Sequence, residues 1–222
     1  MKDLHNHILP GLDDGCKSEE ESLKMLNDLI NSGINEVVFT PHYVSGTKYT
    51  ANNKEKKEAF LKLKKVIEKN KLPIKVYLGN EILFCDNILE LLDKGEILSI
   101  NNSKNLLIEF PMMNLPHNAK NVFDELISAG YNVILAHPER YYFVREDINI
   151  LNDFVSMGVH LQGNYTSLFG KYGRTSKKIL KKLLKRGMID ILASDTHHEV
   201  GKEEEINQLL FENFDLIVNN KK

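Results

Sequence analysis

In this chain, strand after strand stops on a histidine or a carboxylate, and that placement constrains the fold more than any other feature. His42 follows the apolar run 36–41, Glu81 follows 74–80, and Glu109 sits near the end of 106–110. His137 follows 132–136, and Asp195 and His197 follow 190–194. A short first run at 2–5 leads into His5 and His7, and a further strand is expected over 159–163. Amphipathic stretches at 19–32, 54–70, 86–94, 118–129, 147–157, 175–187 and 203–211 carry the helical spacing of apolar residues. Strands alternating with helices imply a parallel sheet with crossover helices. Roughly seven such units point to a barrel, with an open sheet as the alternative. In such barrels the working residues gather at the C-terminal ends of the strands, where the ligand-type residues fall here.

Local signals agree. Ser18 before Glu19, Glu20 and Glu21 suits an N-cap and the positive end of a helix dipole. Gly33, Gly130, Gly158 and Gly187 fall at or just past helix ends, as terminating glycines do. The polar stretch 45–58 reads as a mobile flap or loop. No repeat, linker or low-complexity segment divides the chain, so residues 1–222 are expected to form one domain.

The chemistry follows from residue type. His5 and His7 lie two apart, as do Asp195 and His197, and residues i and i+2 of a strand point to the same side. Two such pairs imply a multinuclear cluster. A histidine- and carboxylate-rich set without thiolate favours zinc, manganese or iron. A carboxylate such as Glu81 could bridge two ions. Cations roughly 3.5–4 Å apart generate hydroxide at neutral pH and clamp the attacking and leaving oxygens of a phosphoester. Arg140, three residues beyond His137, supplies a guanidinium suited to two phosphate oxygens.

Bulk properties exclude other classes. A net charge of −2 gives the chain no bias toward nucleic acid. No run approaches the roughly 18 apolar residues of a membrane span. His5 comes too early for a signal peptide ahead of it. The two cysteines, Cys16 and Cys85, make no CxxC pattern or disulfide framework, and a reducing cytoplasm is expected. Neither has an arginine six residues on (Ser22 and Leu91 stand there), so the cysteine-dependent phosphatase signature is absent.

His5-x-His7, Asp14, Pro41-His42, Glu81, Glu109, His137-Pro138-Glu139-Arg140 and Asp195-x-His197 together resemble the motifs of the polymerase and histidinol phosphatase (PHP) superfamily. Within it, His-Ile-Leu-Pro-Gly-Leu-Asp-Asp-Gly, Ile-Glu-Phe-Pro and Ala-His-Pro-Glu-Arg resemble the bacterial manganese-dependent protein tyrosine phosphatases of capsule and exopolysaccharide systems. The resemblance covers residues 1 to about 200. It implies a distorted (β/α)7 TIM-like barrel with three divalent cations at its C-terminal face. Manganese is expected first, with iron, zinc or magnesium as alternatives. The implied ligands are His5, His7, Asp14, His42, Glu81, Glu109, His137, Asp195 and His197. Arg140 would bind the substrate phosphate, and His42 or His197 could assist the leaving group. The family's Asp-x-His-Asn continues to a second phosphate-binding arginine. Here His198 replaces the asparagine and Lys202 is the counterpart, keeping the charge without bidentate geometry. The implied substrate is the phosphorylated tyrosine tail of a partner kinase. Nucleic acid and membrane insertion are not expected, and a homo-oligomer is compatible with the chain.

Other readings remain beside these. Asp13 and Asp14 before Gly15 could simply make a turn. The segment 171–187 is rich in lysine and arginine and has no acid, which reads as a core-packed helix with a solvated basic face. Its rim could steer an acidic tail, and Arg174 in the loop before it is a candidate to reach substrate. The alternative functions are a small-molecule phosphatase such as a histidinol-phosphate phosphatase, an amidohydrolase, and an inactive metal-holding module for phosphopeptides.

Overall fold

The computed structural model describes residues 1–198, so Lys202 and the helix expected over 203–211 lie outside the described residues. In chain order the elements are β1 (Lys2–Asp3), α1 (Glu19–Asn31), β2 (Glu36–Phe39), β3 (His42–Tyr43), α2 (Asn53–Lys69), β4 (Lys75–Leu78), β5 (Glu81–Leu83) and α3 (Ile88–Asp93). They continue with β6 (Asn105–Glu109), α4 (Ala119–Ser128), β7 (Asn132–Ala136), α5 (Tyr142–Glu146), α6 (Ile150–Ser156), β8 (His160–Asn164), α7 (Tyr165–Leu168), α8 (Gly173–Lys185) and β9 (Ile191–Ala193).

All ladders between these strands are parallel. One sheet runs β1-β2-β4 and the other β3-β5-β6-β7-β8-β9. The two are parts of one wall. Proline has no N–H to give a ladder, and the wall breaks at Thr40-Pro41 between β2 and β3. The matching break lies at Gly79-Asn80 between β4 and β5. Gly79 N donates to Phe39 O at 2.8 Å and Glu81 N to Pro41 O at 3.3 Å, so pairing continues across both breaks. Counting β2/β3 and β4/β5 as one stave each, the nine strands among the described residues reduce to seven staves. The wall then closes. Asn6 bridges Thr196 in parallel, Asp195 N donates to His5 O at 2.8 Å, and His7 N donates to Thr196 O at 2.9 Å. The expected distorted (β/α)7 barrel is thus the observed architecture.

Alternation along the strands sorts the core into two layers. Leu106, Ile108, Val133 and Leu135 face outward and pack under the helices. Leu107, Ile134 and Ala136 face inward with Leu4, Val38 and Ile191 and fill the barrel. Glu109 is two residues beyond Leu107 and therefore points to the same interior side.

Ser18 caps α1 as expected, its hydroxyl accepting from Glu21 N at 3.2 Å. Three expectations need correcting. The stretch 45–58 is not one loop: α2 starts at Asn53 because Asn52 and Glu55 close a reciprocal capping box. The helix expected over 147–157 begins at Ile150, and α5 precedes it as a separate turn. Arg174 lies inside α8, whose first residue is Gly173, rather than in the loop before it. Among the described residues no helix is long and apolar enough to cross a membrane.

Candidate metal centre

The strand ends converge on a cavity of about 280 Å³ lined by Asp14, His42, Glu81, Glu109, His137, Arg140, Asp195 and His197, together with Leu83, Phe110, Pro111 and Met112. At its floor lies Glu81, fully buried. Its Oε2 is 3.0 Å from His5 Nε2, 3.2 Å from His7 Nε2 and 3.1 Å from His42 Nδ1. Its Oε1 is 2.9 Å from His137 Nε2. Asp195 Oδ1 lies 3.5 Å from His5 Nε2 and 3.4 Å from His7 Nε2. Glu109 reaches both His42 Nδ1 and His137 Nε2 at 3.5 Å. Asp14 Oδ1 is 3.6 Å from the Nε2 atoms of His42 and His197.

Among the described residues these donors form three overlapping groups: His7, Asp14, His42 and His197; His5, His7, Glu81 and Asp195; and His42, Glu81 and Glu109. Within each group the candidate ligand atoms lie within 4.8 Å of one another. Two observations test whether the set fits cations. Glu81 Oε2, His42 Nδ1 and His137 Nδ1 are buried without a hydrogen-bond partner. Neighbouring acceptors also fix two tautomers. His5 Nδ1 faces Gln162 Oε1 at 2.8 Å, and Gln162 Nε2 in turn donates to Asn164 Oδ1 at 2.9 Å. His7 Nδ1 faces Asp13 Oδ2 at 2.7 Å. Each Nδ1–H therefore donates outward, and each Nε2 lone pair points into the cluster, where the two Nε2 atoms sit 3.3 Å apart. Lone pairs aimed at each other and at carboxylates call for positive charge between them, and divalent cations fit.

Electrostatics carry the same message. Burial alone would raise the Asp13 carboxyl, but His7 and the N–H groups of His42 and Gly15 outweigh it and hold Asp13 at about 2. Burial and Arg140 work against a charged His137, yet Glu109 and Glu81 lift it to about 9. Burial opposes charge on Glu81 and Asp195 too, and the surrounding histidines hold both well below the usual carboxylate range. Burial, then His7, push His197 down to about 4, which makes it a lone-pair donor rather than a proton donor at neutral pH.

The backbone bends to aim these groups. His137 and Asp195 adopt φ of 33° and 49°, left-handed values that cost a non-glycine residue energy and cluster at functional sites. Gly15 permits the turn to press on His7, for an added Cβ would lie 2.0 Å from the His7 carbonyl oxygen. Arg140 leaves a 3-10 turn at Pro138–Arg140, and its Nη1 donates to Asp195 Oδ2 at 2.5 Å. Its guanidinium lies 4.3 Å over the Tyr172 ring, whose hydroxyl donates to the same Asp195 oxygen at 3.2 Å.

Of the residues singled out from sequence, the structure brings His5, His7, Asp14, His42, Glu81, Glu109, His137, Arg140, Asp195 and His197 together. Arg174 is exposed and does not line the cavity. Sequence reasoning missed Gln162, Asn164 and Tyr172. Gln162 and Asn164 did carry a signal, two polar residues spaced i, i+2 in a strand whose neighbours are apolar, the same spacing that marked His5 and His7. Asp13 is more than a turn residue, for it orients His7 and accepts from His42 N at 2.9 Å.

Comparison with known proteins agrees with this geometry. Tyrosine-protein phosphatase YwqE of Bacillus subtilis (strain 168) is 34% identical over 198 residues, 89% of this chain and 78% of that protein. Tyrosine-protein phosphatase CpsB of Streptococcus pneumoniae is 30% identical over 203 residues, 89% of this chain and 83% of that one. Crystal structures of YwqE and CpsB, metal-dependent tyrosine phosphatases, include a chain that matches with a TM-score of 0.89 at 33% identity, over 96% of this chain and 87% of the other. The family described as capsular polysaccharide synthesis, CpsB/CapC, matches residues 1–210. With the barrel, the donor cluster and these likenesses in agreement, this chain belongs to the CpsB/CapC family.

Proposed function

We propose that this chain is a metal-dependent protein tyrosine phosphatase whose substrate is the phosphorylated tyrosine tail of a bacterial tyrosine kinase serving capsule or exopolysaccharide synthesis. The observation that carries the reading is the overlap of three donor groups, linked by His7, His42 and Glu81, beside a guanidinium, in a chain whose relatives bear the tyrosine phosphatase name. His5, His7, Asp14, His42, Glu81, Glu109, His137, Asp195 and His197 would hold three divalent cations, manganese first, with iron, zinc or magnesium as alternatives. Bound there, the cations would lower the pKa of a water toward neutrality and neutralise phosphoryl oxygens.

The remaining work belongs to the protein. Arg140 keeps N–H groups free of Asp195 that can pair with two phosphoryl oxygens, and it is 23% exposed, so substrate can reach it. Tyr172 and Asp195 hold the guanidinium in one plane, which lowers the entropy lost on binding phosphate. The leaving tyrosinate, with an ordinary pKa of about 10, needs less help than an alkoxide. Lys202 and Arg174 would add positive potential for an anionic peptide. Residues 1–222 act as one domain in the cytoplasm.

Metal analysis of the purified chain, followed by phosphate release from a phosphotyrosine peptide and from histidinol phosphate with and without chelator, tests the reading. Activity should vanish with chelator, return best with manganese, favour the peptide, and survive Cys16→Ser and Cys85→Ser. Preference for histidinol phosphate would replace this reading with a small-molecule phosphatase. Tight peptide binding without release under manganese would leave a binding module.

A further inference from the structure

The cavity lining is chemically of two kinds: Asp14, His42, His197, Asp195 and Arg140 are charged or titratable, and Leu83, Phe110, Pro111 and Met112 are apolar. The apolar side comes from the ends of two neighbouring staves: Leu83 of β5 pairs with Glu109 of β6, and Phe110–Met112 follow Glu109 directly. It is rigidly backed. Phe110 N donates to Tyr141 Oη at 2.9 Å, and that hydroxyl donates to Ala136 O at 2.7 Å. Met112 O accepts from Tyr142 N at 2.9 Å. Behind them the Phe110 ring packs against Phe84 and Phe123 with centroids 5.5 and 5.3 Å away. Single exposed apolar residues are ordinary, but a contiguous apolar wall that opens onto a polar catalytic floor is the composition of a ligand pocket.

Resting on the proposed phosphatase reading, we infer that Leu83, Pro111 and Met112 form an aryl-binding wall that makes this site select aryl over alkyl phosphate monoesters. A phosphoryl group on the cluster and Arg140 must point its ester oxygen outward. The group beyond that oxygen then meets either charged side chains or this wall. A benzene ring is accommodated by an apolar space of about 150 Å³, and the cavity holds about 280 Å³ including the phosphoryl end. The thioether of Met112 is soft and makes favourable contacts with aromatic rings. A short alkyl group covers less of the same surface and lacks the ring's contact with the thioether.

Non-hydrolysable phosphonates isolate this contact from leaving-group chemistry. On the manganese-loaded full chain, calorimetry should find benzylphosphonate bound about ten-fold more tightly than methylphosphonate, the gain expected from burying part of a ring. Met112→Ser and Leu83→Ser should each cut that ratio several-fold while metal content and inorganic phosphate affinity stay fixed. Met112→Gln gives the same test with the side-chain length kept, should the serine variant fold poorly. Met113→Ser should change nothing, because Met113 is 59% exposed and outside the cavity. Equal binding of the two phosphonates, or an unchanged ratio in the variants, would overturn the wall. Ring preference without phosphate release from a phosphotyrosine peptide would leave the wall standing and remove the phosphatase reading; release without ring preference would do the reverse.

Discussion

The arc from β5 to β9 and the seam where β9 meets β1 hold comparable ligands by different means. On the arc, Glu109 ends and His137 follows a strand that pairs over several consecutive residues and is packed on both sides by apolar side chains. At the seam, among the described residues, a single bridge, Asn6 to Thr196, joins the staves. Buried polar side chains do the rest. Asp3 accepts from Ser194 N at 2.9 Å and Ser194 Oγ at 2.7 Å, and Asn6 Nδ2 donates to Val38 O at 2.9 Å and to Asp3 Oδ2 at 3.3 Å. Ladder pairing and apolar burial leave no room for side chains to choose alternative partners. Side-chain hydrogen bonds fix the chain at particular atoms, and they fail atom by atom. The arc should therefore tolerate loss of packing with its aim intact, whereas the seam should lose aim and stability together.

The largest effect is expected at the seam. Asp3→Ala removes the acceptor of Ser194 N and leaves Ser194 Oγ with only His5 O and Asn6 Nδ2 with only Val38 O, all in a buried place, at a cost of roughly 4 kcal/mol. Denaturant unfolding should show it, and metal content should fall with it because His5 and Asp195 flank the same contacts. On the arc, Leu161→Ala in β8 should cost about 3 kcal/mol through the cavity it leaves, yet return normal metal stoichiometry at low temperature. If both variants lose metal in proportion to stability, the contrast between the two regions is wrong.

Gln162→Leu joins the two regions, since Gln162 stands on β8 and orients His5. Metal affinity should drop by about 10- to 100-fold in a competition titration, with a small change in unfolding free energy.

Lys56→Met sharpens a third kind of support, at the break between staves. Lys56 is buried, and its Nζ donates to Asn80 Oδ1 and to Glu96 O, both at 2.7 Å, while Asn80 Nδ2 donates to Pro41 O at 2.8 Å next to His42. Burial lowers Lys56 to about 7. Between that value and the unfolded value near 10.4 the unfolded chain binds more protons, so this lysine adds stability as pH rises, by up to about 1.4 kcal/mol per unit. Metal-free His137, held at about 9, acts in the opposite direction, for its contribution is full below the unfolded value and is lost as pH climbs through 9. The difference between wild type and Lys56→Met isolates the lysine. The variant's deficit in unfolding free energy should be larger at pH 9 than at pH 6, and a deficit independent of pH would show that Lys56 is not buried in its charged form. Smallest of all, Ser18→Ala should cost about 1 kcal/mol by uncapping α1, with metal affinity untouched.

The same contrast explains what could be read from the sequence. The arc was legible because apolar runs ending on His, Glu or Asp leave both a periodic and a chemical mark, as at 106–110 and 132–136. His5-x-His7 and Asp195-x-His197 were legible through strand spacing. The seam's network was not, because Asp3, Asn6 and Ser194 look like ordinary polar residues until the fold brings residues 191 positions apart into contact. Tyr172 was hidden for the same reason: its role comes from touching Arg140 and Asp195, which no local pattern announces. α5 and α7 escaped because helices of 5 and 4 residues are too short to show a period. The extent of the loop after His42 was misjudged because the polar surface of α2 resembles a loop in composition, although Asn52 and Glu55 already marked its start.

The left-handed backbone at His137 and Asp195 has an evolutionary consequence. Glycine would occupy either position at less conformational cost, so a population selected for heat resistance alone should drift toward it there. Their retention as histidine and aspartate is a standing tax on robustness that only turnover of substrate can repay. Directed evolution that rewards folding but not phosphate release should erase these two side chains among the first, yielding a sturdier barrel with nothing left to do.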